Sequence, residues 1–504
     1  MSPCIKQFYF FLLLPLVLFS KERPNVLFIF SDDHTTQAIS AYAGASKFIE
    51  TPHIDSIGKE GAIFTHNFCV NAICAPSRAV VLTGKHSHKN GQFTNGNTFD
   101  GSQLTFPKLF KKNGYATGIF GKWHLKSKPT GFDKWMVYPG QGSYYNPDYR
   151  TVNGLKRLEG YSVELTTDLS IDFMEKAVDD KKPFMLMCQF KAPHGHRNPG
   201  PDYYDLYKDR KFKEPATLFD NYEGRNSAAA QHKMGLHHMN TSHLKLPVES
   251  NKEWNRMTDA QRAAFKEAYA QENKEYFARK LSEKEDIRWR YQRYLKDYLR
   301  CVKAVDDNIG RLMQYLEKSG LSENTIVVYS SDQGFYLGEH GWYDKRWMYD
   351  LSLRMPLVMK WPARIKSNQT IAKITQNTDF APTLLEAAGI TLPNDLDGVS
   401  MLPLLTGKEV DWRDTAYYHY YESPGPHNVP FHEGVRSEKY KLIHYYETGE
   451  WELFDLTKDP TEMVSQYNNP EYKSVLKDME KRLAYQRQKL KAPSHDWVLK
   501  KFKK

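Results

Sequence analysis

The chain has 504 residues, of which 40% are apolar, and its formal net charge is +10. This length exceeds what one hydrophobic core usually supports, so we expect a large domain with a smaller one beside it. The 26 prolines and 30 glycines are spread along the chain, and this composition excludes a fibrous or wholly disordered protein. The positive charge is compatible with an acidic polymer as partner.

The first twenty residues predict a secretory signal peptide. Lys6 precedes an apolar run over residues 8–19, which is too short to span a bilayer, and polar Ser20 follows it. Cys4 lies before the apolar run, which argues against a lipoprotein anchor. We therefore expect an exported protein, periplasmic or secreted, with no membrane span after removal of residues 1–20 and no nucleic acid as partner.

Four cysteines follow this segment, and they are too few and too scattered for a disulfide framework. They are Cys69, Cys74, Cys188 and Cys301. Cys188 and Cys301 lie in apolar surroundings, which predicts that both belong to the core.

Strands and helices are predicted to alternate over most of the chain. The predicted strands cover residues 25–30, 62–68, 115–120, 183–190, 324–330 and 355–360. The predicted helices cover residues 51–59, 105–112, 161–178, 258–316 and 379–388. This alternation is typical of an α/β fold with a mostly parallel central sheet and helices on both faces.

Two changes of pattern divide the chain further. Residues 195–257 are rich in Pro, Gly, His and charge with weak periodicity, which predicts a long surface insertion. After residue 407 the pattern is one of short strands, followed by a long helix and a lysine-rich end that we expect to be frayed. These elements are predicted at residues 416–421, 440–446, 451–456 and 472–488. We therefore predict a main domain over 21–407 and a C-terminal α+β subdomain over 408–504, in which an antiparallel sheet packs on a helix.

Several polar side chains directly follow the predicted strands. They are Asp32, Asp33, Lys122, His124, His194, Asp332 and Gln333. Because the carboxyl ends of parallel strands meet at one edge of a sheet, we expect these side chains to converge. Carboxylate and amide oxygens are the ligands that calcium and magnesium prefer. Asp32 and Asp33 taken alone are equally compatible with a solvated loop.

The stretch CAPSRAVVLTG at residues 74–84 combines a helix start with a thiol and a guanidinium. Pro76 favours the first turn of a helix, and Gly84 favours its end. Cys74 is therefore predicted at the helix N-terminus, where free N–H groups attract negative charge, and Arg78 follows one turn later. A lone cysteine in such a position is more often a buried structural residue.

The order Cys-x-Pro-Ser-Arg followed by Leu-Thr-Gly resembles the signature of the formylglycine-dependent (type I) sulfatases. Further motifs stand in the order of that family: Ser-Asp-Asp at 31–33, Gly-Lys-Trp-His-Leu at 121–125, Ala-Pro-His at 192–194, Ser-Asp-Gln-Gly at 331–334 and Asp-Lys-Arg at 344–346. The resemblance covers residues 24–456, and the overall sequence is similar to N-acetylglucosamine-6-sulfatases and to bacterial enzymes that desulfate mucin or polysaccharides. It implies an alkaline-phosphatase-like α/β sandwich, with residues 21–407 as the catalytic domain.

The resemblance also implies a role for each matching residue. A maturation enzyme would convert Cys74 to formylglycine, whose hydrate attacks sulfur and forms a covalent sulfated intermediate. Arg78, Lys122 and Lys345 would stabilise the negative charge, His124 would act as a base, and His194 would protonate the leaving sugar oxygen. Ca²⁺ would be held by five residues: Asp32, Asp33, Cys74, Asp332 and Gln333. Many members of the family carry Asn in place of Gln333.

The expected substrate is a sulfate ester of a carbohydrate, either a 6-O-sulfated hexosamine or a marine polysaccharide. Candidate sugar-binding residues are His196, Arg197, His427 and His432, although each could equally cap a loop. Two alternatives stay open at this point. Phosphonate or phosphate monoester hydrolases share the Cys-x-Pro-x-Arg pattern, and a non-catalytic protein could bind sulfated glycans through a dead site.

Overall fold

The computed structural model describes residues 23–43 and 48–503, so the predicted signal peptide at residues 1–20 lies outside the described residues. The strands are β1 Asn25–Asp32, β2 Ala62–Phe64, β3 Asn67–Phe68, β4 Ala116–Gly121, β5 Lys134–Val137, β6 Asp148–Thr151, β7 Gly154–Arg157, β8 Phe184–Pro193, β9 Thr325–Ser331, β10 Tyr336–Leu337, β11 Tyr343–Asp344, β12 Leu357–Lys360, β13 Gln369–Ile371, β14 Thr375–Gln376, β15 Thr415–Tyr420, β16 His432–Ser437, β17 Tyr440–Tyr445 and β18 Glu450–Asp455. The α-helices are α1 Ser40–Ala43, α2 Pro52–Lys59, α3 Cys74–Thr83, α4 Ser87–Asn90, α5 Phe106–Lys112, α6 Ser162–Asp179, α7 Ser227–Ala230, α8 Asp259–Ala278, α9 Glu283–Lys318, α10 Asp350–Leu353, α11 Phe380–Ala387, α12 Leu402–Leu405, α13 Lys473–Leu490 and α14 His495–Phe502.

Ten strands form the central sheet, in the order β13-β2-β12-β9-β1-β8-β4-β5-β6-β7. The five strands from β9 to β5 in this order run parallel, whereas β12 is antiparallel to both of its neighbours. The sequence of β1 is continuously apolar because both of its faces are buried. Phe28 faces a core that contains α3, α5 and α11, while Leu27 faces a second core that contains α6 and α9. The predicted mostly parallel sheet with helices on both faces is confirmed.

The C-terminal region forms a separate antiparallel sheet in the order β15-β16-β17-β18. One face of this sheet packs on α13, where Val435 and Leu442 meet Met479. The opposite face contributes Tyr418 and Ile443 to the main core. The predicted antiparallel sheet packed on a helix is therefore confirmed, with β16 as an additional strand that the sequence analysis did not identify.

Two expectations about the surface need correction. The segment 195–257 is not wholly a surface insertion, because several of its apolar side chains form a core with α9 that includes Phe212, Leu236, Leu244 and Leu246. The lysine-rich end is ordered as α14, and the Lys501 ammonium lies 4.4 Å from the centre of the Trp497 ring.

The four cysteines of the described region are free and buried, as expected for Cys188 and Cys301. None of the helices within residues 23–43 and 48–503 is both long and apolar enough to cross a membrane.

Candidate active site

Four neighbouring parallel strands, β9, β1, β8 and β4, carry the polar residues at their carboxyl ends to one edge of the sheet. Strand β1 leads into Asp32 and Asp33, and β9 leads into Asp332. The Asp33 backbone N–H donates to Asp332 Oδ1 at 3.0 Å, which joins the two strand ends directly. The convergence predicted from the sequence is thus observed at this edge.

Helix α3 begins at Cys74 and points its N-terminus at this edge. The Cys74 Sγ lies 3.3 Å from Asp32 Oδ1, and the Ala75 N–H donates to Asn95 Oδ1 at 3.0 Å. Gly84 ends the helix with a φ of 65°, as the sequence predicted. Burial raises the pKa of the Cys74 thiol well above its ordinary value, and Asp332 adds to the shift. The unmodified side chain is therefore a neutral thiol and a poor nucleophile.

Arg78 links the helix to three strand ends. Its Nε and NH2 donate to Asp332 Oδ2 at 3.1 and 3.0 Å, and its NH1 donates to the Lys122 carbonyl at 3.1 Å. The same NH1 donates to Gln189 Oε1 at 3.0 Å. The guanidinium is 4% exposed, so these bonds fix its position beside Cys74 in a low-dielectric environment.

Two lysines contact the carboxylates, Lys122 after β4 and Lys345 after β11. The Lys122 Nζ donates to Asp32 Oδ2 and, at 2.6 Å, to Gln141 Oε1. The Lys345 Nζ donates to both oxygens of Asp33, at 2.7 and 2.9 Å. Burial lowers the pKa of Lys122 well below its ordinary value. Both ammonium groups are at most 3% exposed, so they lie inside the site and not on its rim.

The pKa values of Asp33 and Asp332 are shifted in opposite directions. Burial raises the pKa of Asp33 to about 7, and the neighbouring Asp332 contributes in the same direction while Lys345 opposes it. Burial also acts against ionisation of Asp332, but Arg78 is among the cations that hold the pKa of Asp332 below its ordinary value. Asp332 is thus ionised more readily than Asp33.

The donor set fits a hard divalent cation. Asp32, Asp33 and Asp332 are fully or almost fully buried and offer oxygens within 4.8 Å of one another. Gln333 Nε2 donates to Asp33 and, at 2.8 Å, to Asp332, whereas its Oε1 has no partner among the described residues. Since amide oxygen and nitrogen exchange places by a half-turn, the same side chain can present its oxygen to a cation held by the carboxylates.

Two histidines lie at the ends of β4 and β8. The His194 Nδ1 donates to the Gly195 carbonyl at 2.9 Å, so the unprotonated Nε2 of the neutral ring faces Asp33 Oδ2 at 3.8 Å. The His124 Nδ1 is buried and has no partner among the described residues. Burial, with Lys122 as the next cause, lowers the pKa of both rings well below the ordinary value. Both rings are therefore neutral before a substrate anion enters.

The four candidate sugar-binding residues have different surroundings. His196 and Arg197 lie two and three residues after His194, and His427 Nε2 bonds to Asp344 Oδ2 beside Lys345. His432 differs from this expectation. Its ring is fully buried and stacks on Tyr418, with centroids 5.5 Å apart, so no part of it is open to a ligand.

The sequence analysis missed several polar residues that complete the site. Gln141 holds Lys122, Arg346 NH1 donates to Asp344 Oδ1 at 3.0 Å, and Lys191 Nζ donates to the Gly195 carbonyl at 3.3 Å. Asp344 and Arg346 flank Lys345 in the Asp-Lys-Arg motif, which was the available signal. Gln141 lies in a loop with no distinguishing pattern.

Buried cations, a carboxylate cluster and a helix N-terminus at the carboxyl edge of a mostly parallel sheet are the arrangement expected of an α/β enzyme that hydrolyses an anionic ester. Family models identify the ester. The model "Sulfatase" matches residues 24–390, and "N-sulphoglucosamine sulphohydrolase, C-terminal" matches residues 338–489. The chain belongs to the sulfatase family and is a sulfuric ester hydrolase.

Individual relatives agree with this assignment. N-acetylglucosamine-6-O-sulfatase of Bacteroides thetaiotaomicron is 45% identical over 477 residues, which are 91% of this chain and 85% of the relative. A solved structure of a protein in complex with its substrate D-glucosamine-2-N,6-O-disulfate has a TM-score of 0.91 and 44% identity, covering 94% of this chain and 99% of that one. The phosphonate monoester hydrolase of Agrobacterium radiobacter shares the fold, with a TM-score of 0.68, 20% identity and coverage of 93% and 96%. The predicted alkaline-phosphatase-like sandwich is confirmed.

Proposed function

We propose that this chain removes the 6-O-sulfate of glucosamine or N-acetylglucosamine residues in a sulfated glycan, using formylglycine at position 74 and one bound Ca²⁺. The first support for this proposal is the 45% identity to an N-acetylglucosamine-6-O-sulfatase over most of both chains. The second support is the solved relative, 44% identical, whose substrate is glucosamine sulfated at N2 and O6. The expectation of a marine polysaccharide has no comparable support.

The observation that carries the mechanism is the surroundings of Cys74. A catalytic thiol needs a lowered pKa, yet burial raises that of Cys74 and its nearest polar neighbour is the Asp32 carboxylate at 3.3 Å. The position is suited to a hydroxyl group near cations and a divalent ion. Formylglycine supplies such a hydroxyl as its hydrate, and a maturation enzyme would have to create it during biosynthesis.

Asp32, Asp33, Asp332 and Gln333 would hold the cation, with the modified residue 74 as a further ligand. A bound Ca²⁺ makes a coordinated hydroxyl more acidic and neutralises sulfate oxygens. Sequence and geometry favour an oxygen-ligand cation without distinguishing Ca²⁺ from Mg²⁺, and Ca²⁺ is the choice that the family resemblance supports.

The remaining residues act on charge and protons. The guanidinium of Arg78 and the ammonium groups of Lys122 and Lys345 stabilise negative charge on the sulfate oxygens as the S–O bond breaks. His194, with Nε2 free, takes a proton when the substrate anion raises its pKa and passes it to the leaving sugar oxygen. His124, neutral and without a partner at Nδ1, is placed to act as the base of the second half-reaction.

A phosphonate or phosphate monoester as preferred substrate is the rival within the fold. The similarity to a phosphonate monoester hydrolase is at 20% identity and bears on the fold alone. A comparison of kcat/KM for an aryl sulfate and an aryl phosphonate tests this rival, and a strong preference for the phosphonate would contradict our proposal.

Export completes the proposal. The apolar run at 8–19 supports a cleaved signal peptide and a periplasmic or secreted protein, where polymeric glycans are accessible. Amino-terminal sequencing of the protein purified from its native host tests this point, and an uncleaved amino terminus would contradict it.

The central experiment measures both the modification of residue 74 and the release of sulfate. Peptide mass spectrometry should find an aldehyde in place of the thiol at position 74, and the purified protein should release sulfate from N-acetylglucosamine 6-sulfate. Cys74→Ala should abolish sulfate release without changing the far-UV circular dichroism spectrum. Appreciable sulfate release by this variant would refute the mechanism.

A further inference from the structure

One buried arginine beside the active site has no counter-charge among the described residues. Six arginines among the described residues are at most 5% exposed: Arg78, Arg197, Arg293, Arg300, Arg346 and Arg436. All of these except Arg197 form an ion pair with a carboxylate at 3.0 to 3.2 Å. Arg197 is 3% exposed and pairs with no carboxylate of the described residues. Since an unpaired buried charge is costly, this guanidinium is matched to an anion that the chain does not supply.

The contacts of Arg197 leave part of its guanidinium unused. The group lies 4.6 Å from the centre of the Tyr294 ring, and its NH2 donates to His243 Nδ1 at 3.3 Å and touches Met239 Sδ at 3.8 Å. The Nε and NH1 groups donate to no described residue, and neither is fully enclosed. Their N–H bonds are therefore available to donate to a ligand.

Two stacked histidines lie against this guanidinium. The rings of His196 and His243 have centroids 4.0 Å apart. Because His243 Nδ1 accepts a hydrogen bond from Arg197, the proton of its neutral ring is on Nε2, which has no partner among the described residues. His196 Nδ1 is buried and likewise unpartnered. Burial is the main cause that lowers the pKa of His196 to about 3 and that of His243 to about 2, so both rings are neutral donors at pH 7.

The loop that carries these groups is fixed beside the catalytic histidine. The Arg197 N–H donates to the His194 carbonyl at 3.2 Å. The Lys245 Nζ donates to the carbonyls of His196 and Arg197 at 3.0 and 2.9 Å, and Asp297 neutralises it at 2.7 Å. Lys245 therefore holds the backbone, while Arg197 supplies the net charge. The cluster borders the residue that faces the reacting ester.

We propose that Arg197, together with His196 and His243, forms a second anion subsite that binds a negatively charged group of the substrate other than the sulfate ester under attack. This inference rests on the proposed function and deepens it. The ligand is a sulfo or carboxyl group, carried either by the same sugar or by the next sugar of the chain. The active site thereby distinguishes doubly charged glycan fragments from singly charged ones.

Three substrates with the same 6-O-sulfate test the subsite. They are N-acetylglucosamine 6-sulfate, glucosamine-2-N,6-O-disulfate, and a disaccharide in which a uronate neighbours N-acetylglucosamine 6-sulfate. Hydrogen bonds to charged groups predict that kcat/KM for at least one of the two doubly charged substrates exceeds that for the first by at least about tenfold. The substrate with the higher value identifies the source of the anion. Equal kcat/KM for all three overturns the inference.

Arg197→Gln should bring the ratio of kcat/KM values between doubly and singly charged substrates close to one. Arg197→Lys keeps the charge and should retain part of the ratio. Arg210→Gln is the matched control, because its guanidinium also lies 4.6 Å from an aromatic ring, that of Phe212, but on the exposed side of the same segment. A ratio in Arg197→Gln equal to that of the wild type overturns the inference.

Binding to the wild-type protein gives a test without turnover or substitution. Glucosamine 2-N-sulfate, which has no 6-sulfate, should raise the Tm at concentrations where N-acetylglucosamine does not. Equal Tm shifts with the two sugars overturn a subsite for the N-sulfate. The kcat/KM of the uronate-containing disaccharide then decides whether the subsite binds a carboxyl group. Absence of sulfate release from all three substrates contradicts the proposed function, whereas release at equal kcat/KM contradicts only the subsite.

Discussion

The ammonium group of Lys345 donates hydrogen bonds to both carboxylate oxygens of Asp33, at 2.7 and 2.9 Å. Burial acts against the charged ammonium, but Asp33 and Asp344 outweigh it and raise the pKa of Lys345. The same Asp33 oxygens are proposed ligands of a divalent cation. We therefore expect two tasks of Lys345, which are to compensate Asp33 while no cation is present and to contact the sulfate oxygens once Asp33 holds one.

Lys345→Met should separate these two tasks. Removing the ammonium leaves Asp33 buried without its partner, which should lower the free energy of unfolding of the metal-free protein by about 3–5 kcal/mol. Saturating Ca²⁺ should recover most of the lost Tm, because it supplies positive charge at Asp33. It should not recover turnover, and kcat/KM should stay at least about 100-fold below the wild-type value. Thermal denaturation and sulfate release, each with and without Ca²⁺, measure the two effects.

Lys441→Met is the matched control for this experiment. Lys441 is also fully buried and pairs with Asp350 at 2.7 Å, but it lies in the C-terminal sheet. Its loss should lower the Tm in a way that Ca²⁺ does not reverse, with kcat unchanged in the folded protein. If Ca²⁺ restored both stability and turnover to Lys345→Met, the second task of Lys345 would be refuted.

His194→Gln should affect poor leaving groups more than good ones. A sugar alkoxide needs a proton to depart, and His194 Nε2 is the group placed to deliver it, whereas a 4-nitrophenolate departs without help. We expect kcat to fall by about 100-fold or more for N-acetylglucosamine 6-sulfate and by less than about tenfold for 4-nitrophenyl sulfate. His88→Gln, whose ring bonds to the Leu490 carbonyl at the end of α13 and to none of the proposed catalytic residues, should change neither value. Equal losses on both substrates would remove the acid role from His194.

The central strands could be predicted because their sequences have only one physical interpretation. The run from Val26 to Phe30 is apolar at every position, and the structure buries it between two layers of helices. Strand β16 gave no such signal. Its sequence HEGVRS contains Glu433 and Arg436, whose charges are satisfied by Arg487 and Asp350 on other elements. Long-range ion pairs of this kind leave no local pattern.

The site was predictable where a motif or a strand end marks it, and unpredictable where it depends on long-range packing. Asp32, Asp332 and His194 follow apolar strands, so their convergence follows from parallel topology alone. His243 reaches the same region from a segment that was predicted to be a surface insertion. Only the folded chain brings its ring against Arg197. The expectation that His432 binds sugar was wrong, because its ring packs between aromatic side chains of the interior.

Removal of the proposed cation should reduce both activity and stability. Asp32, Asp33 and Asp332 lie with oxygens within 4.8 Å of one another, so without a cation their charges repel in a buried environment. Dialysis against a chelator should abolish sulfate release and lower the Tm, and Ca²⁺ should restore both in a concentration-dependent way. Asp332→Asn should weaken this response, as seen in a higher Ca²⁺ concentration at half-maximal Tm shift. A chelated protein with full activity would contradict the metal site.

Asp306 provides a pH-dependent contribution to stability that is separate from the active site. Its Oδ1 accepts the N–H groups of His53 and Ile54 at the start of α2, at 3.1 and 2.9 Å. Its Oδ2 has no hydrogen-bond partner among the described residues, and the Lys303 Nζ lies 4.0 Å from it. Burial raises the pKa of Asp306 to about 7, against the opposing effects of the Ile54 N–H and of Lys303. The folded state therefore keeps a proton on this carboxyl at pH values where the unfolded chain, with a pKa of about 4, has lost it.

This difference fixes the sign of the effect. Between about pH 4 and pH 7 the folded state binds more protons at Asp306 than the unfolded state, so this contribution to stability falls as the pH rises. Asp306→Asn cannot ionise, and its loss of unfolding free energy between pH 5 and pH 8 should be smaller than that of the wild type by about 2 kcal/mol. Chemical denaturation at both pH values measures this difference. Identical pH dependence in Asp306→Asn and the wild type would mean that Asp306 is already ionised at pH 5 in the folded protein.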